Sequence, residues 1–180
     1  MKKIFLSVAL LLVVVLSLTA ATAPRVSRPL LVSVEKSLDE RIKTLWDDNP
    51  YLLLGTTRGV YLENYGAVFT AEIELVLNPV SLMNANIKKD DIAKFHQKKL
   101  ERVPILKKAL RDALVACASS LDTVPPEETI TIVAFLARNS WEDMTGIPTQ
   151  ITVQAPHKKL LDAKNAGAAA VDAIVRVSEN

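Results

Sequence analysis

The sequence predicts an α+β domain: a mainly antiparallel sheet of two hairpins, about four strands, with helices packed on one face. Three observations predict it. Strand-like segments come in adjacent pairs rather than alternating singly with helices. One of them, Ala67 to Leu77, alternates apolar and polar residues with period two, so one face of the sheet meets water. Residues 87–118 carry an apolar stripe at helical spacing, long enough to cover the other face.

The chain opens on a targeting signal. Lys2 and Lys3 form a positive start, Ile4 to Leu18 is an almost unbroken apolar run, and Ala21-Thr22-Ala23 places small residues at a cleavage site before Pro24. The run is shorter than the roughly 20 residues that span a bilayer as a helix. Residues 1–23 are therefore expected to be cleaved after Ala23, and the protein to be periplasmic or secreted. The cleavage site has no cysteine, which argues against lipoprotein processing. The full chain carries 22 basic and 20 acidic side chains in 180 residues; without the signal, 157 residues and 20 of each remain. That balance and an ordinary apolar content exclude collagen, a coiled-coil rod, a disulfide-built miniprotein and a multispan membrane protein. The only cysteine, Cys117, cannot form an intramolecular disulfide and reads as a small buried hydrophobe at an apolar helix end.

Residues 24–34, with Pro24, Pro29, Arg25 and Arg28, read as an extended arm ahead of a single domain at 35–180. A helix is expected over 35–47, with Ser37 and Glu40 as a capping box and Leu38, Ile42, Leu45 and Trp46 at helical spacing. Asp47-Asp48-Asn49-Pro50 stops it. The first hairpin follows: Thr56 to Glu63, a turn at Glu63-Asn64-Tyr65-Gly66, and Ala67 to Leu77. Gly66 suits a turn position of positive φ.

In the long helix, Ile92, Phe95, Leu100, Val103, Leu106, Leu110, Leu114 and Cys117 form the stripe, and Pro104 predicts a kink or two helices end to end. After a connector containing Pro125-Pro126, Thr129 to Ala137 and Thr149 to Ala155 make the second hairpin, joined by a long loop, Arg138 to Pro148. His157 to Lys164 reads as a short helix. In the tail, Ala168 to Ile174 favours helix, and Ile174 to Ser178 alternates like a strand.

Charge is the strongest local signal. Nine basic residues, among them Lys94, Lys98 and Arg102, face three acidic ones between Ile87 and Arg111; this window is +6 and the rest of the mature chain −6. Either the helix face is solvated and its field is met by acidic residues elsewhere, or it is a surface for an anionic envelope polymer or lipid. Export, as expected from the signal, argues against chromosomal nucleic acid as the partner. Two loops carry contact-type residues. The first hairpin holds Arg58, Tyr61 and Tyr65, read as turn chemistry with cross-strand packing or as a recognition edge. The second connector holds Trp141 and Met144, read as folding back over the sheet or as an exposed contact.

Motifs for catalysis are missing. Neither Gly-x-Ser-x-Gly nor a phosphate-binding glycine loop occurs. His96 and His157 are far apart and have no ligand at metal-motif spacing, so no metal or cofactor is implied. The expectation is a non-enzymatic domain that binds a partner protein or an envelope component. A hydrolase whose site gathers one of these histidines with distant carboxylates is the alternative.

Three stretches, Gly55 to Thr70 (GTTRGVYLENYGAVFT), Val124 to Leu136 (VPPEETITIVAFL) and Gly146 to Leu161 (GIPTQITVQAPHKKLL), resemble a group of exported bacterial proteins of unknown function. The resemblance implies one recurring domain and carries over no catalytic or binding residue.

Overall fold

The computed structural model of the chain describes residues 26–46, 51–77 and 87–180; the expected signal segment, the first two residues of the arm and the Asp47–Pro50 helix stop lie outside them. The described residues form four helices and six strands in one α+β arrangement.

Helix α1, Arg28–Lys43, replaces most of the expected arm. Pro29 sits in its first turn, where φ is already helical and no intrahelical partner for an N–H is needed. Leu31, Val34, Leu38 and Ile42 then form one buried stripe, which explains why the helix starts a full two turns early. Ser37 and Glu40 consequently lie inside the helix, and the capping box does not form.

Strands β1 (Leu52–Leu53), β2 (Arg58–Leu62) and β3 (Gly66–Glu74) follow. β2 and β3 are the expected hairpin, in the register Gly59↔Phe69 and Tyr61↔Ala67. Its turn has Asn64 at φ 64° and Gly66 at φ 128°. A Cβ at Gly66 would sit 1.9 Å from Thr129 O, so only glycine fits there. Helix α2, Lys89–Ala118, leads to β4 (Thr129–Leu136) and β5 (Gln150–Pro156), the second antiparallel pair. Helices α3 (His157–Ala166) and α4 (Ala168–Ile174) precede β6 (Arg176–Glu179), which pairs with β5. Both tail readings hold, one after the other along the chain.

The sheet order is β1-β3-β4-β5-β6, with β2 also on β3. It is mixed, which corrects the two-hairpin antiparallel picture: the hairpins meet at β3 and β4, and this seam is parallel, with Phe69 opposite Ile132. The physical reason is α2. A connection containing a long helix carries the chain back to the end of the sheet at which β3 began, so the next strand runs in the same direction.

α2 is a single helix through Pro104, not two end to end. Pro104 lies on its exposed side. Val103, Leu106, Leu110, Leu114 and Cys117 are buried as expected, against the sheet and the other helices. Burial pushes the Cys117 thiol up to about 12.

Candidate interaction surface

The alternation of the strands sorts their side chains onto two faces. Phe69, Ile73, Ile130, Ile132, Ile151 and Val153 point to one and are at most 1% exposed, beneath the helices. The opposite face bears no helix among the described residues. Register lines its side chains up in rows. One row runs Val60, Val68, Thr131, Gln154, Arg176; the next runs Arg58, Thr70, Val133, Thr152, Ser178. Glu72 and Phe135 are paired beside them, and Leu52 is opposite Glu74 on the same face. Tyr65, from the β2–β3 turn, lies over Thr131 with its hydroxyl 3.4 Å from Thr131 Oγ1.

Large apolar groups gather here. Leu52, Val60, Leu62, Tyr65 and Phe135 are each more than 40% exposed, and they account for five of the seven exposed large hydrophobics among the described residues; the other two, Ile105 and Leu161, lie on helices. Scattered exposed hydrophobics are ordinary, whereas a set sharing one face is a candidate contact surface.

The edge beside this face is closed by side chains. Arg28 and Glu35 on α1 form an ion pair of 2.7 Å. Arg28 Nη1 donates to Gly59 O at 2.8 Å, and Glu35 Oε1 accepts from Gly59 N at 2.7 Å. Asp39 Oδ1 accepts from Thr57 N at 2.8 Å. The N–H and C=O of Gly59 therefore have partners that are not another strand, which blunts edge-to-edge association at this point of β2. A Cβ at Gly59 would meet Phe69 Cε1 at 2.5 Å, so glycine here lets α1 and Phe69 close on the strand.

The expected recognition edge is split between the faces. Arg58 and Tyr65 are on the open face. Tyr61 lies on the helical side, where its hydroxyl donates to Glu128 Oε1 at 3.2 Å, and the same oxygen accepts from Asn64 N at 3.1 Å. Burial, then the Glu128 hydrogen bond and charge, hold the Tyr61 phenol above its ordinary value.

The basic helix is largely matched from elsewhere in the fold. Lys99 is buried against Glu142, Nζ to Oε2 2.6 Å, with side chains 2% and 3% exposed, and also donates to Ala137 O. Asn139 N donates to Glu142 Oε2 as well, which ties down the long loop. Arg102 is interior: its guanidinium donates to Leu75 O and lies 4.8 Å from the centroid of the Trp46 ring. Lys107 meets Glu179 at 2.8 Å. Lys94 is exposed beside Asp91, and Lys98 is half-buried. Lys94 and Lys98 thus remain at the surface and Arg102 does not. Trp141 is half-buried and packs edge-on against Phe95 of α2, ring centroids 5.8 Å apart.

Among the described residues neither histidine hydrogen-bonds to a carboxylate, although His96 lies close enough to Asp143 for their charges to interact. His96 Nδ1 is 2.9 Å from Asp143 O. His157 is buried, with Nδ1 2.8 Å from Val124 O and Nε2 3.0 Å from Ala118 O, so it bridges the end of α2 and the connector. A neutral ring can donate to one of those carbonyls and an imidazolium to both. Among the described residues no group of three or more His, Cys, Asp or Glu is placed to hold a metal ion, and no helix is long and apolar enough to cross a membrane.

Sequence reasoning missed Val60, Leu62, Val133, Phe135 and Arg176. The polar alternation of β3 and β5 pointed to a solvated face, but β4, TITIVAFL, reads as a continuous apolar run that conceals its exposed Phe135. Comparison of the chain with family models, with curated proteins and with solved structures gives no match.

Proposed function

We propose that this chain is an exported, non-enzymatic interaction module that binds a partner protein through the open face of its sheet. The convergence of five exposed large hydrophobics on that one face carries the reading. The two central rows add Arg58 and Arg176 and contain no acidic residue, so the partner that fits is an apolar patch flanked by carboxylates. Tyr65 and Arg58 are of the types that dominate binding energy at such contacts. Export rests on the amino-terminal segment, and the protein recovered from the cell envelope is expected to begin at Pro24 by mass spectrometry.

The test places a photo-crosslinking amino acid at Val60, Phe135 or, as a control on the helical side, Ile105. A discrete adduct from positions 60 and 135, missing at 105 and abolished by adding Arg58→Glu and Arg176→Glu, is expected. Adducts from 105 alone, or adducts at 60 and 135 that ignore charge reversal, would overturn the assignment of this face. An adduct of the chain with itself would make the partner a second copy rather than another protein.

A further inference from the structure

In the helical layer, away from the open sheet face, the last third of α2 and the α3–α4 corner enclose a cavity of about 450 Å³. This lies within the range of small-molecule sites, roughly 300–1,000 Å³. Its walls bring together Lys108, Arg111 and Lys164, over apolar surface from Val115 and Val171. Two carboxylates, Asp112 and Asp172, also line it, leaving an excess of one positive charge. Lys108 is engaged with Asp112 at 2.8 Å, and Lys164 donates to Ser119 Oγ at 2.9 Å.

Arg111 stands apart from its neighbours. Its nearest carboxylate oxygen, Asp172 Oδ1, is 3.9 Å from Nη1, beyond hydrogen-bond reach. Its Nε is sealed from solvent and has no acceptor among the described residues, while the side chain as a whole is 36% exposed. The planar guanidinium fork matches carboxylate and phosphate oxygens, and Arg111 lines the cleft with its side chain partly exposed.

We infer that this cleft binds a small amphiphilic oxyanion, a carboxylate or phosphate carried on a short hydrocarbon chain, with Arg111 as its anchor. Lys108 and Lys164 supply the surrounding positive field, and Val115 and Val171 receive the chain. The inference goes beyond the sheet-face reading, uses different residues and stands or falls separately from it. It also gives a specific role to two basic residues of the helix, Lys108 and Arg111.

The experiment follows backbone amide shifts of the purified, isotope-labelled protein during titration with hexanoate, hexyl phosphate, inorganic phosphate and hexanol. Saturable shifts at Val115 and Val171 are expected with hexanoate or hexyl phosphate, about tenfold tighter than with inorganic phosphate or hexanol. Arg111→Gln should weaken them by at least about tenfold. Arg111→Lys, which keeps the charge and loses the fork, should fall between the two, and it serves alone if the glutamine variant does not fold. Vesicles containing phosphatidylglycerol distinguish the source: binding that depends on Arg111 makes the oxyanion a lipid headgroup, and binding of the free amphiphile alone makes it a soluble metabolite-sized anion. The inference is overturned if no probe gives saturable shifts, if hexanol matches the anions, or if the Arg111 variants bind as the parent does.

Discussion

Strand β4 lets the two faces of the sheet be compared within eight residues. Ile130, Ile132 and Ala134 point under the helices and are at most 1% exposed, while Phe135 is 43% exposed on the other side. The same contrast runs through β3, where Phe69 and Ile73 are fully covered and Glu72 is exposed. Burying a large apolar side chain stabilises a fold by about 1.5–3 kcal/mol, and only the helical face collects that gain. The lesson is a division of labour: one face holds the domain together, and the other is free to be specified by a partner.

The largest expected effect breaks the comparison if it fails. Phe69→Ala should destabilise the domain by about 3–5 kcal/mol in urea unfolding, because it removes a fully buried ring from the closed face. Phe135→Ala should shift the same curve by about 0.5 kcal/mol. Equal losses would mean that the open face is structural after all. Next, Glu142→Ala strands Lys99 as an unpaired buried charge and should cost about 3 kcal/mol, whereas Lys99→Met with Glu142→Leu should recover most of it. A double-mutant cycle on these four proteins separates pairing from packing. The smallest effect is on pH. The Tyr61 phenol is raised, so the folded state favours its neutral form. That contribution is present below its ordinary value of 10.0 and lost as pH rises through the folded value. In a 295-nm absorbance titration Tyr61 should ionise above its ordinary value, and Glu128→Gln should bring it back toward that value.

Local patterns made much of this fold legible. The β2–β3 turn follows from Asn64 and Gly66, and the stripe of α2 follows from its spacing, because each depends on residues a few positions apart. What could not be read depends on distant partners. Arg28 and Pro29 look like an arm until Glu35 and Gly59 show what they hold, and the seam between the hairpins leaves no trace in either strand. The charge run on α2 was legible as charge but not as geometry. Lys99 reads like its neighbours, and its burial depends on Glu142, 43 residues away. Of the expected contact residues, Arg58 and Tyr65 share the open face, and Arg102 is spent inside the molecule.

The parallel seam also sets an order of events. Each hairpin can form from neighbouring sequence, but Phe69 and Ile132 come together only after about sixty residues of chain, including the whole of α2, have been drawn back. Two local halves are therefore expected to arise first and to be joined late at the seam. In the interval β3 and β4 each present an unpaired edge rich in apolar residues, one that a second nascent chain can pair with. The strand junction that unites the finished domain is thus also where a newly made copy is most exposed to aggregation.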